Sequence, residues 1–523
     1  MLFSLLFVSS ALSKSLSVYY NISSTSYYAV EDTYDSNAYA RALLFDNVQK
    51  NGWYDLHVES NGAQVDQIQA YAAGYAEGVI NHDFYKNFRS NFITNLCNKY
   101  IKCDTQGSLP ANVVEWLSQN YDWVSNNIAQ SEKNTPFYWA ADVFLEQLKG
   151  IVAGYNSVDP NSQITILDLW ILNSRSEIFN IYRKLNGIDP TVEPVIERRG
   201  TSFVTPFGDH ENLVIAHSTW ASYGDSIKIS KRYRLPFHNA YSKIERRSLS
   251  SYPFMLHSDQ GMTITDHGMI ITATSIAIAN QALYYQINFQ GFPFWLRELI
   301  ADQTSHNNFE WYDNYKPFQS GCAGIEWTIV NMKQFLYRNA FLRHTVSVVD
   351  EIPGSITRTD VTAVAESNGY FASFDVPYDE DIFKEAGYQT LETNHPEFYS
   401  YNQSARHKIL RDRAPLVKDR ESARTLIRYN DVNDPYQAAR KDLGISARQE
   451  NIANAYCAGA VDAKLTTIPK ALHLNWEGAI GPNFDDGDKF EFSKYQICQF
   501  SKHDGVPDQL AFKWAQHYFD IDL

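Results

Sequence analysis

The chain has 523 residues, 44% of them hydrophobic and 20% charged, which is enough apolar material for a sizeable core and too much for a disordered polymer. A formal net charge of −15 argues against a nucleic-acid partner, which needs a basic face, and against tight electrostatic docking on anionic lipid. The 34 Tyr, 30 Phe and 11 Trp first of all pack a core, and they also suit a pocket for an apolar or sugar-like group.

The first residues, MLFSLLFVSSALS, read as a short apolar segment closed by small side chains, with Ala11 and Ser13 placed for cleavage. Residues 1–13 are therefore expected to be a signal peptide, which sends the chain outside the cell or to a lysosome-like compartment. No later run reaches the ~18 apolar residues of a membrane-spanning helix, so no transmembrane segment is expected. Two triplets, Asn21-Ile-Ser and Asn402-Gln-Ser, match the glycosylation acceptor pattern of that route. Of the five cysteines, Cys97 and Cys103 are close enough to pair across a short loop, and Cys457 with Cys498 makes a second candidate bridge, leaving Cys322 over.

Residues 14–200 read as a mainly helical part, possibly released as a separate chain. VDQIQAYAAGYAEGVINHDFYKNFRSNF, PANVVEWLSQNYDWVSNNI, PFYWAADVFLEQLKGIVAGY and DLWILNSRSEIFNIYRKL all carry apolar groups at three-and-four spacing. Glycines in the first of these predict close helix packing. NGIDPTVEPVIERRG then breaks the pattern. Beyond it TSFVTPF, ENLVIAHSTW, GMTITDHGMIITATSIA, EWTIVNMKQF and TVSVVDEIPG are strand-like, with a helix expected at FPFWLRELIADQT. Strands in the middle with helices before and among them predict layered α/β packing over residues 201–523.

The chemistry points to Gly200-Thr201. A strand that opens on Thr directly after a small residue fits a self-cleaving precursor: the hydroxyl attacks the preceding carbonyl, and hydrolysis of the resulting ester frees a new N-terminus. Such an α-amine has a pKa near 8, low enough to serve as base for its own hydroxyl. Gly200 allows the strained backbone this step needs. On spacing alone a strand that merely starts with Thr is the commoner case, and trimming after Arg198-Arg199 by a processing protease is a second alternative.

A resemblance favours self-cleavage. RGTSFVTPFGDHENLVIAHSTWASYGDSIKISKRY, SSYPFMLHSDQGMTI, VVDEIPGSITRTDVT, GYFASFDVPYDEDIF, SARHKILRDRAPLV, LIRYNDVNDPY, AGAVDAKLTT and HDGVPDQLAF occur here in an order that resembles the phospholipase B-like family, as does NGWYDLHVES with QIQAYAAGYAEGVI further upstream. The resemblance implies an α/β fold of four αββα layers, of the N-terminal-nucleophile type. It also implies an acyl hydrolase acting on a phospholipid or lipid-amide substrate without metal or organic cofactor. The family's Cys nucleophile falls on Thr201; His217 and Trp220 match residues lining the pocket, Trp220 as a wall. Asp375 stands where the family has Asn, a donor to the oxyanion. A carboxylate would repel that charge unless it is protonated or instead orients the α-amine. Arg406 matches a family Arg able to pair with Asp375.

SGCAGIEW, residues 320–327, departs from a polar family string. Cys322 within it is a thiol with no local base, better read as buried and inert. NFDDGDKF lacks the closing Glu of a calcium loop and reads as a turn. The alternative function is a non-catalytic lipid- or glycan-binding member of the same fold.

Overall fold

The computed structural model describes residues 12–99, 101–187, 200–207, 212–336, 341–452 and 455–520. The expected leader lies outside them except for its last two residues, and so does the Glu197–Arg199 part of the junction.

Nineteen strands occur among the described residues. In chain order they are β1 (Leu12–Asn21), β2 (Ser26–Glu31), β3 (Ala40–Asn47), β4 (Trp53–Ser60), β5 (Gly200–Phe207), β6 (Asn212–Ser222), β7 (Lys228–Arg234), β8 (Arg246–Ser251), β9 (Met262–Thr265) and β10 (Met269–Ser275). There follow β11 (Ile325–Asn331), β12 (Val346–Ile352), β13 (Ser355–Asp360), β14 (Phe371–Ser373), β15 (Ala458–Thr467), β16 (Trp476–Ile480), β17 (Phe490–Glu491), β18 (Gln509–Leu510) and β19 (Ala515–His517). One sheet has 11 strands in the order β13-β12-β11-β10-β9-β8-β7-β4-β3-β1-β2, and a second has six in the order β14-β5-β6-β15-β16-β19. Neighbours are antiparallel throughout except β4 beside β7, which run parallel.

The two sheets face each other. Trp476 Nε1 donates to Ser248 Oγ at 3.0 Å across the gap, and the Trp53 and Trp476 rings meet edge to face at 5.2 Å. The helix Asp66–Ile80 covers β1, β3 and β4 from outside, backed by Pro136–Val158, while Arg420–Ile427 and Ile468–Ala471 cover β6 on the far side. Helix, sheet, sheet and helix stack in that order, an α/β layering as expected, but its first helical layer and four strands of its large sheet come from before residue 200 and not from residues 201–523 alone.

The two long helices of the first layer approach at glycines. A Cβ on Gly74 would lie 2.0 Å from Gln147 O, on Gly78 2.3 Å from Ile151 O, on Gly150 2.1 Å from Tyr71 O and on Gly154 2.2 Å from Tyr75 O. Backbone here lies against backbone, as the glycines of the first stretch predict, with Gly150 and Gly154 supplying the matching close approach from the other helix.

One expectation needs correction. The described part of the first 60 residues, read as the start of a helical part, holds four strands and one short helix, Val48–Asn51, with WYDLHVES forming β4; the other helices of this part run from Asp66 to Asn186. The signal is the polar–apolar alternation of the β1 sequence around Leu16 and Val18, although Ser17 between them is buried as well. Through β4 this segment continues the sheet of the second part, so the large sheet crosses the boundary at 200. Both cysteine pairings form, Cys97–Cys103 and Cys457–Cys498, and Cys322 is the free one.

Candidate active site

β5 is paired on both sides, by β6 and β14, and Phe203 and Val204, wholly buried, face the apolar ladder partners Ala216 and Ile215 on β6 and Ala372 and Phe371 on β14. Its first residue, Gly200, has φ +146°, a backbone conformation that side chains avoid, and a Cβ there would sit 1.9 Å from Ser218 O. Only glycine fits the position before Thr201.

Three elements converge on this strand start. The helix Ala405–Arg413 is capped by Ser404, whose hydroxyl accepts from His407 N, and its first turn presents Arg406. The loop leaving β14 turns at Asp375, which adopts φ +64°, a left-handed conformation that Asp tolerates better than most residues. β6 supplies Trp220. Arg406 Nη1 donates to Gly200 O at 2.5 Å, to Thr201 Oγ1 at 3.2 Å and to Asp375 Oδ2 at 2.9 Å. Its guanidinium lies 4.4 Å over the Trp220 ring, which in turn donates through Nε1 to Ile445 O at 3.1 Å. All four side chains are buried; Thr201 has no exposed surface.

Asp375 is anchored by acceptance. Its Oδ1 takes Ser275 N at 3.0 Å and Ser275 Oγ at 3.1 Å, its Oδ2 also takes Gly200 N at 3.4 Å, and its backbone oxygen takes Tyr388 Oη at 2.9 Å. Surrounded by donors, this carboxylate is no donor to an oxyanion. It fixes Arg406 and the strand start.

His217 stands apart from this cluster. It is the register partner of Ser202, not of Thr201, and both residues reach the opposite sheet: Ser202 Oγ meets Thr272 Oγ1 at 2.8 Å and His217 Nε2 meets Ala273 O at 2.8 Å. Burial, reinforced by the Lys464 charge, pushes its pKa down to about 3, so the ring is neutral. Its Nδ1 has no partner among the described residues.

Behind it lies a charged cluster that the sequence reading did not single out. Asp462 is paired with Lys464 and lies 3.0 Å from Lys228, while Lys464 Nζ donates to Thr219 Oγ1 at 2.6 Å. All three charged groups are buried. Burial opposes ionisation of Asp462, yet the two lysines hold its pKa below the usual carboxylate range; burial lowers Lys464 to about 8. Thr219 is the ladder partner of Gly200, so the cluster bears on the strand beside the junction. A legible clue was present: Asp462 and Lys464, two apart, are the charged residues of a strand that is otherwise apolar up to its closing threonines. Ser275 and Tyr388 carried no such clue, since their role is set by a distant loop.

Cys322 is buried among Ser320, Asn180 and Glu177, and burial followed by the Glu177 charge pushes its thiol well above the ordinary value. A protonated, enclosed thiol is a poor nucleophile. The acidic turn binds the chain to itself: Asp486 and Asp488 each lie 2.9 Å from Lys441 Nζ.

A layered α/β sandwich with a Thr-Arg-Asp cluster at the head of an inner strand defines the architectural class. The family model described as Phospholipase B matches residues 40–517, and the chain belongs to that family. It is 28% identical to the mouse protein named "Putative phospholipase B-like 2" over 92% of this chain and 85% of that one. It is also 27% identical to Phospholipase B-like protein B of Dictyostelium discoideum (93% and 86%) and 26% identical to protein D of the same organism (93% and 89%).

Proposed function

We propose that the chain is a lipid acyl hydrolase whose nucleophile, Thr201, is exposed by cleavage of its own Gly200-Thr201 bond. The observation that carries this reading is the position of Arg406, whose Nη1 contacts both the oxygen of the carbonyl to be attacked and the hydroxyl that would attack its carbon. Thr201 Oγ1 adds to the Gly200 carbonyl carbon, and the guanidinium stabilises the charge growing on Gly200 O. The C–N bond breaks, the acyl group passes to the hydroxyl as an ester, and the nitrogen takes a proton to become the α-amine. Water then hydrolyses the ester, leaving a Gly200 carboxylate and a free Thr201.

In turnover the α-amine accepts the hydroxyl proton as Thr201 attacks an ester or amide carbonyl, and water releases the acyl group. Arg406 Nη2 has no protein partner among the described residues, which leaves a donor for the substrate oxyanion. The family relationship supports a phospholipid or lipid-amide substrate. The two disulfides fit passage through an oxidising secretory route toward secretion or a lysosome-like compartment.

The test is to express the chain at mildly acidic pH and sequence the N-termini of each product. The expected new terminus is Thr-Ser-Phe-Val, absent in Thr201→Ala, while Thr201→Cys should be cut at the same bond and yield Cys-Ser-Phe-Val. A cut only after Arg199 that survives Thr201→Ala would overturn the proposal. An intact chain would favour a non-catalytic, lipid- or glycan-binding member of the fold, the reading that the acidic Asp375 beside the junction supports.

A further inference from the structure

Far from Thr201 along the large sheet, the β1–β2 hairpin and the two glycine-packed helices enclose a half-open cavity of about 670 Å3. Five tyrosines line it: Tyr20, Tyr27, Tyr39, Tyr71 and Tyr75. Their rings lean on one another, Tyr27 lying 4.9 Å from Tyr20, 5.9 Å from Tyr39, 4.9 Å from Tyr71 and 6.1 Å from Tyr75. Tyr75 Oη is used within the protein, donating to Tyr27 O at 3.1 Å. The other four phenols make no hydrogen bond among the described residues, and Thr25, Ser26 and Ser157 add three aliphatic hydroxyls to the same wall.

Here four of the five rings stay partly exposed on one concave surface with the hydroxyls around it. The chemistry selects among ligands. An acyl chain wants continuous aliphatic lining, whereas Ile68 and Ala153 are the aliphatic contributions. Glu146, near enough to oppose ionisation of Tyr27 and Tyr71, is paired with Lys149 at 2.7 Å, so this pair adds no net charge to draw an ionic ligand. A neutral sugar matches both components: its C–H face stacks on an aromatic ring and its hydroxyls exchange hydrogen bonds with phenols and alcohols.

We propose that this cleft binds a neutral oligosaccharide of two or three residues. Such a ligand has two sources. One is a free or partner-borne glycan. The other is the chain's own sugar, since Asn21 of the Asn-Ile-Ser triplet is exposed in the turn that continues to Thr25 and Ser26. The proposal stands independently of the nucleophile assignment.

The test uses the full secreted chain with chitotriose and mannotriose as probes, read by saturation-transfer NMR and calorimetry. It is run on the protein as expressed and on Asn21→Gln. Binding to both forms that weakens about tenfold in Tyr71→Ala establishes a site for external glycans. Binding only to Asn21→Gln, again lost in Tyr71→Ala, establishes that the chain's own glycan fills the cleft. Tyr71→Phe keeps the ring and should retain part of the affinity, which separates a lost contact from a misfolded helix. No binding to either form, binding indifferent to Tyr71→Ala, or preference for choline over both sugars overturns the proposal. Cleavage at Gly200 and any acyl hydrolysis should be unchanged in the Tyr71 variants.

Discussion

Arg406 is a single side chain asked to do two jobs, neutralising Asp375 and polarising the Gly200 carbonyl. Removing it therefore conflates them. Arg406→Gln should slow self-cleavage by about 10²–10³-fold, the usual cost of losing one preorganised donor. It should also destabilise the fold by about 3–5 kcal/mol, because a buried carboxylate is left without its cation. The double variant Arg406→Gln/Asp375→Asn separates the effects: a melting curve should recover while a cleavage time course stays slow. Recovery of both would assign Arg406 a purely structural part. Much of this site was legible in the sequence, because Thr201 opens a strand after glycine and the resemblance pointed to Asp375 and Arg406. His217 was less legible. A residue's face on a strand follows from register, and register with β5 puts His217 beside Ser202, toward the opposite sheet.

Among elements, the helix pair Asp66–Ile80 and Pro136–Val158 sets the tightest tolerance in the first layer. A methyl group at Gly74 would meet a carbonyl oxygen, and backbone has no rotamer by which to yield. Gly74→Ala should cost about 1–3 kcal/mol, despite the better helix propensity of Ala, as measured by denaturant unfolding. A stabilised variant would mean that the helices sit farther apart than described. Their contact was readable on the first of them, since glycines recur there. The strands β1 to β4 were less readable: β1, β2 and β3 pair locally, but the group joins the rest of the sheet through β4 against β7, far along the chain.

For the whole molecule, buried acids set a pH preference. Burial raises Glu177 to about 8 and Asp350 to about 6, and raises Glu326, the cross-strand partner of Asp350, well above the ordinary range. These groups stay protonated when folded and ionise when unfolded, so their contribution is full below about pH 4 and fades as pH climbs through 6 to 8. Asp55 and Asp462 act in the opposite sense. Burial disfavours their charge, but His517 and Arg232 for the first and Lys228 and Lys464 for the second hold them ionised, so their contribution is lost on strong acidification. Calorimetry should find the melting temperature highest near pH 5 and several degrees lower at pH 8, with Glu326→Gln flattening the neutral side. A maximum at pH 8 would contradict this balance. Such an optimum suits an acidic compartment.

The parallel seam between β4 and β7 has a consequence for the history of each molecule. If the chain is cut at Gly200, the two pieces share one sheet across that seam but no longer share a backbone. The covalent link that let β4 find β7 at unimolecular cost is then gone, and reassembly becomes a bimolecular search by a fragment with an exposed strand edge. The uncut precursor would act as a mould used once. It should refold from denaturant in good yield, whereas the cut pair, equally stable until disturbed, should aggregate on dilution and lose its native spectrum for good.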